Sequence, residues 1–255
     1  MDILERVIAK KFYGGSGGAP VNIQPLEVTQ NGVYNLTEGV NGYAPVKVYV
    51  DGSTDHSAED WLVTRSISGY YANDRVTTVG SYAFRDCRYI ESVSFPNVTS
   101  ISSNAFVYCY KLVSVNFPKA TEIGSDAFSV CSGLTNITFP EVTKVSSAAF
   151  ENCSKLVSAD FPKVNNIGTT VFRYCSVLTS VILRNETPIK LGNVNAFNST
   201  PIANGTGYIY VPAALVDAYK AATNWATYAA QFRALEDYTV DGTITGALDP
   251  NKTGV

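Results

Sequence analysis

Five phenylalanines, Phe84, Phe106, Phe128, Phe150 and Phe172, recur at intervals of 22 residues, and Cys87, Cys109, Cys131, Cys153 and Cys175 follow them three positions later. The same period carries Ile90, Leu112, Leu134, Leu156 and Leu178, and then Val93, Val115, Ile137, Ala159 and Val181. Phe-Pro pairs stand at 95–96, 117–118, 139–140 and 161–162, and Val79, Ile101, Ile123, Val145 and Ile167 open the next unit. A unit this short cannot bury an apolar face alone. Its copies must stack, so that neighbouring turns share one continuous core.

Each column has a physical reading. In the stretch 112–117, Val115 and Phe117 alternate with Asn116, the period of a half-buried strand. Pro118 lacks a backbone donor and ends that strand. A second extended piece follows at 120–123, and then a polar corner, Gly124-Ser125-Asp126, whose Ser or Asp is placed to cap a short helical turn at Ala127-Phe128. Stacked strands lie about 4.8 Å apart along the axis. The expected fold is mainly β with short helical turns, a solenoid of 22-residue repeats with the Phe and Cys columns inside. The cysteines read as a buried column. Stacked copies point the same way rather than at one another, their number is odd, and none shows the CxxC spacing of a metal site.

The unit 123–140, Ile-Gly-Ser-Asp-Ala-Phe-Ser-Val-Cys-Ser-Gly-Leu-Thr-Asn-Ile-Thr-Phe-Pro, resembles the BspA-type leucine-rich repeat of bacterial surface proteins, and the resemblance extends over residues 62–235. It implies a right-handed, curved leucine-rich-repeat solenoid with a parallel sheet on one face, used for recognition.

The solenoid with its caps is assigned to 61–235. Residues 66–84 fit the repeat only in their later half, with Val76 and Val79 in register, and read as a half-turn that opens the stack. Downstream the pattern loosens through Leu183 and resumes at Ala196-Phe197, 25 residues after the previous pair. After a last strand in 207–212, Leu215, Tyr219, Trp225, Tyr228, Phe232 and Leu235 fall at mostly helical spacings and predict a helical C-terminal cap. Residues 236–255 form a tail with β-prone pieces. Ahead of the solenoid stand an amphipathic segment at 1–13 for attachment or oligomerisation, a Gly-rich linker at 14–27, a small β-module at 28–52 with Asn-Gly turns, and a linker at 53–60. Within the module, Asn31-Gly32-Val33-Tyr34 and Gly39-Val40-Asn41-Gly42-Tyr43, with Val46, Val48 and Val50, resemble a module of phage and prophage tail or fibre proteins.

A formal net charge of -3 offers no basic surface for nucleic acid. No run approaches the roughly 18 apolar residues of a membrane helix, so membrane insertion is not expected. With Asp2 and Glu5, the N-terminus does not read as a signal peptide. His56, the single histidine, sits in a linker, a poor place to hold a catalytic base. Glu91, Glu122, Glu141, Glu151 and Asp160 fall in different columns and nominate no acid pair across a cleft. No catalytic residue, metal or cofactor is expected.

Surface is what remains. The outward strand positions are small and polar, whereas the turns carry Arg85, Arg88, Tyr89, Tyr108, Tyr110, Lys111, Arg173 and Tyr174, residue types that bring contact area with a polar handle. These eight form the candidate binding face. The sequence thus reads as a non-enzymatic recognition or display protein. Its expected setting is a phage or prophage virion, where the N-terminal segment joins other virion proteins, residues 1–13 serve trimerisation, and the solenoid meets a bacterial surface glycan or protein. The alternative is a bacterial cell-surface or secreted adhesin.

Overall fold

The computed structural model describes residues 77–240 throughout, together with strands at Glu27–Val28, Val33–Leu36, Val46–Tyr49, Ser68–Ala72 and Thr243–Ile244. The segment 1–13, the Gly-rich run 14–18 and His56 lie outside the described residues. The three strands between 27 and 49 pair antiparallel in sequence order. From Ser68 onward the chain winds as a solenoid with two parallel ladders. The front ladder consists of Ser68–Ala72, Tyr89–Ser94, Ser114–Asn116, Asn136–Thr138, Ser158–Phe161, Ser180–Leu183, Tyr208–Val211 and Phe232–Ala234. It is divided into pieces of three and five strands between Ser114–Asn116 and Asn136–Thr138, where Val115 is only half-buried. The back ladder runs unbroken through six two-residue strands, from Thr78–Val79 to Lys190–Leu191. Ser68–Ala72 pairs with Tyr89–Ser94, Tyr70 opposite Ser92 across a register shift. The opening turn therefore has its own front strand and is more than the half-turn expected, because extended Tyr-rich backbone can pair where the repeat residues are missing.

The ladders are joined by a segment whose backbone departs from the helical turn expected at Ala127-Phe128. Two positions per turn are left-handed: Tyr82, Asn104, Asp126, Ala148 and Thr170 in one column, Asp86, Tyr108, Val130, Asn152 and Tyr174 in the other. Asp126 therefore caps nothing. Its amide donates forward to Ser147 in the next turn at 3.0 Å, as Phe128 donates to Ala149 at 2.8 Å and Val130 to Glu151 at 2.8 Å. The amides between them close local turns instead, Ala127 to Gly124, Ser129 to Asp126 and Cys131 to Phe128. Every second amide thus reaches the following turn, and the left-handed residues aim it there. Such a conformation costs a non-glycine residue roughly 1–2 kcal/mol, which the inter-turn bonds offset.

Inside, the Phe column stacks face to face, with ring centroids 4.9 Å apart for Phe84–Phe106, 5.1 Å for Phe106–Phe128 and 5.3 Å for Phe128–Phe150. The Phe of each Phe-Pro pair forms a second column that meets the first at tilted angles, as at Phe106–Phe117 and Phe128–Phe139. All five cysteines are buried as free thiols. They do more than fill space. Cys109, Cys131, Cys153 and Cys175 each donate to the carbonyl of Phe84, Phe106, Phe128 and Phe150 respectively, at 3.1–3.2 Å, tying each turn back to the one before. A column of alanines would leave those carbonyls with one partner fewer.

The last turn is lengthened, since Lys190 pairs with Asn166 rather than following it by 22 residues. Its outward carbonyls have no further turn to meet, and side chains of the cap take that place. Trp225 Nε1 donates to Ile189 O at 2.7 Å, Asn224 Nδ2 to Leu191 O at 2.7 Å, and the Tyr228 hydroxyl to Val194 O. Tyr219 accepts from the Ile189 amide at 3.2 Å, and the rings of Trp225 and Tyr228 close over Phe197. Within the cap, Val216–Ala221 is α-helical, whereas Ala213–Leu215 and Trp225–Gln231 are 3-10, the latter kinked at Tyr228. Helical spacing misplaces Phe232. It lies in a strand parallel to Tyr208–Val211, opposite Ile209, because burying the ring in register outweighs helix continuation.

Two outcomes follow from this interior. The native chain gives no fast reaction with a bulky maleimide, and all five thiols label together once guanidinium unfolds it; partial labelling of the native chain would contradict the packed column. Burial also pushes the Cys109, Cys131 and Cys153 thiols up, and the Tyr219 phenol up to about 12. The unfolded chain releases a tyrosine proton near pH ~10, so the contribution of Tyr219 is complete below that pH and is lost as pH rises towards about 12. Chemical denaturation across alkaline pH should show that decline, and Tyr219→Phe should remove its upper part.

Candidate functional site

At the turn edge the backbone argument meets the side chains. Position 88 stands directly below 110, and 89 below 111, one turn apart. The result is interleaved cation–ring contact. The Arg88 guanidinium lies 5.6 Å from the Tyr110 ring centre, the Lys111 ammonium 5.4 Å from Tyr89, and Arg85 5.5 Å from Tyr82 and 5.9 Å from Tyr108. The Tyr108 and Tyr110 rings are 6.1 Å apart. Asp86 sits among them, 3.2 Å from Arg88 and 3.7 Å from Arg85, and holds both guanidiniums in place. Tyr89 stays 55% exposed and Tyr110 38%. The structure thus brings together Arg85, Arg88, Tyr89, Tyr108, Tyr110 and Lys111, and adds Tyr82. Arg173 lies four turns beyond Arg85 in the same column and Tyr174 three turns beyond Tyr108, roughly 14 Å from the nearer edge of the set at the strand spacing. There Arg173 lies 5.1 Å from the Tyr174 ring and donates through Nε to Glu151 at 3.0 Å. They form a separate, smaller contact point.

The scattered carboxylates also find their places. Glu122 pairs with Lys144, Glu141 with Lys163 at 2.7 Å, Glu151 with Arg173, and Asp160 with Arg184. Each joins one turn to the next. The exposed pairs at Lys144 and Lys163 contribute little stability. Among the described residues no group of His, Cys, Asp and Glu side chains is placed to hold a metal ion, and no helix is long and apolar enough to cross a membrane.

A second aromatic cluster, outside the eight candidate residues, stands at the C-terminal end of the front sheet. Tyr208 and Tyr210 point outward from the strand Tyr208–Val211, and Arg233 from the neighbouring strand places its guanidinium 4.3 Å from the Tyr208 ring centre. Tyr210 meets Tyr208 and Tyr238 edge to face at 6.3 and 4.7 Å, and burial pushes its phenol up. The run Tyr-Ile-Tyr-Val carried the signal, since period-two alternation turns both tyrosines outward once Ile209 is inside. Arg233 carried none, because its strand was hidden under a helical spacing.

Residues 63–179 and 99–207, more than half of the chain, match the BspA type leucine rich repeat region, in six copies. No curated protein matches the chain in sequence. Among solved structures, it is similar to the pneumococcal vaccine antigen PcpA, at 17% identity and a TM-score of 0.51 over 66% of this chain and 40% of that one. It is also similar to a leucine rich cell surface protein from Faecalibacterium prausnitzii A2-165, at 26% identity and a TM-score of 0.45 over 57% of this chain and 48% of that one. A leucine-rich repeat protein from Bacteroides ovatus ATCC 8483 aligns at 23% identity and a TM-score of 0.43, over 58% and 40% of the two chains. The chain spans less than half the length of each. The six-copy match and the stacked parallel ladders together show that this chain belongs to the BspA-type leucine-rich repeat family.

Proposed function

We propose that this chain is a non-enzymatic binding module of a bacterial cell-surface or secreted leucine-rich-repeat protein, and that it engages a surface glycan or protein through the turn edge at 82–111. The observation that carries the proposal is the interleaved set Arg85, Arg88, Tyr89, Tyr108, Tyr110 and Lys111, of which Arg88, Tyr89, Tyr110 and Lys111 are exposed and Arg85 and Tyr108 half-buried, on backbone that inter-turn bonds hold. Preorganised rings lose little conformational entropy on binding, and cation–ring pairs present apolar area and hydrogen-bond donors together. Membership of a family of bacterial surface repeats supports the setting. The likeness of segment 28–52 to phage structural modules favours a second reading, display on a virion, with attachment to other virion proteins and trimerisation through 1–13.

Binding of the fluorescent full chain to intact bacterial and epithelial cells tests the site. The double variant Tyr89→Ala/Tyr110→Ala should lose about tenfold or more in affinity with an unchanged melting temperature, since each ring at a binding centre carries about 1–2 kcal/mol or more. Equal binding by wild type and variant would remove the turn edge from the proposal. Density-gradient fractionation of the producing cells separates the two settings: the envelope or medium is expected, and banding with phage particles would install the second reading.

A further inference from the structure

The front sheet carries a row of small hydroxyl and amide side chains that ends abruptly at an aromatic wall. Asn136, Ser158, Ser180 and Tyr208 stand opposite one another in successive strands, and Ser158 Oγ is 2.6 Å from Asn136 Oδ1. The next row reads Thr138, Asp160, Ile182, Tyr210 and Arg233. In it the Asp160 carboxylate is neutralised by Arg184, and Ile182, although outward by alternation, is only 2% exposed between its taller neighbours. Arg233 comes from the strand beyond Tyr208, opposite Tyr210, and its guanidinium lies against the Tyr208 ring. Nη1 of Arg233 is held by the carbonyls of Ala230 and Phe232, and among the described residues no acidic side chain pairs with this cation. Its Nε–Nη2 edge remains as a planar fork of the kind that matches a carboxylate.

We propose that this corner, Tyr208, Arg233, Ser180, Ser158 and Asn136, is a binding site for a carboxylate-bearing glycan. A sugar of the chain packs against Tyr208, and a carboxylate of the chain takes the Arg233 fork. The following sugars hydrogen-bond to Ser180, Ser158 and Asn136, whose strands are about 4.8 Å apart. The cation selects an acidic chain over a neutral one, and the hydroxyl and amide floor suits sugar hydroxyls better than an apolar peptide. Asp237, whose charge bears on Tyr210, works against an anion here. None of these residues belongs to the turn edge, so this site and that one stand or fall separately.

Titration calorimetry of the full chain at low salt with oligogalacturonate, alginate and hyaluronan oligosaccharides tests the site. At least one should bind, more weakly as salt rises, and carboxyl reduction of that oligosaccharide should abolish binding. Arg233→Gln should weaken it tenfold or more, and Asp237→Asn should strengthen it. Because Arg233 also braces the cap, Ser180→Glu provides a second reading from a half-exposed floor position: binding disappears with the melting temperature unchanged. The proposal is overturned if none of the three binds, if the carboxyl-reduced form binds equally, or if Ser180→Glu binds like wild type.

Discussion

Everything in this molecule depends on the amides that leave one turn and end on the carbonyls of the next. A 22-residue unit has too little interior to be stable alone, and its alternate amides find their partners only in a neighbouring turn. The forward bonds from Asp126, Phe128 and Val130 exist only because Asp126 and Val130 adopt a left-handed backbone. That geometry turns alternate amides along the solenoid axis and sets the pitch at which the Phe rings stack. The pitch in turn brings each Cys thiol within reach of the preceding Phe carbonyl. Backbone, rings and thiols therefore enforce one repeat distance, and an error in any column would be felt in the others.

The same bonds explain where the proposed binding surface is placed. Side chains on the front strands alternate in and out and are mostly small, so the sheet offers a flat polar floor. At the turn edge the left-handed residues lift long side chains out of the stack. Identical positions in successive turns then sit side by side, which is why Arg88 meets Tyr110 and Lys111 meets Tyr89. Contacts within one turn, Arg85 with Tyr82 and Arg173 with Tyr174, add to these. The stacking that stabilises the fold also assembles the surface, and it ends in a cap whose Trp225, Asn224 and Tyr228 copy with side chains the bonds of a further turn.

The stack and its two extended pieces per turn were legible because apolar columns at a fixed period admit few other folds. The connecting turn was not. Its first left-handed column holds Tyr82, Asn104, Asp126, Ala148 and Thr170, and only Asn and Asp prefer that backbone, so residue type pointed to a capped helical turn instead. Phe232 was misplaced for a related reason: its spacing from Tyr228 suits a helix, but pairing with the preceding strand buries it just as well. The cysteines read correctly as interior, whereas their role as donors depends on a turn-to-turn distance that no spacing along the chain reports. Among the candidate surface residues, the neighbours in adjacent turns were brought together. Arg173 and Tyr174 were separated from the nearer of them by three turns, a distance that follows from the repeat itself.

The most direct test of this account is residue-resolved native-state hydrogen exchange of the turn edge. If inter-turn bonds hold that edge as part of the core, the amides of Asn104, Phe106, Tyr108, Asp126, Phe128 and Val130 exchange only through global unfolding, as slowly as those of the front strands. If they exchange through local opening while the strands stay protected, the edge is a fraying loop. The rigid presentation of its Tyr and Arg side chains would then be contradicted.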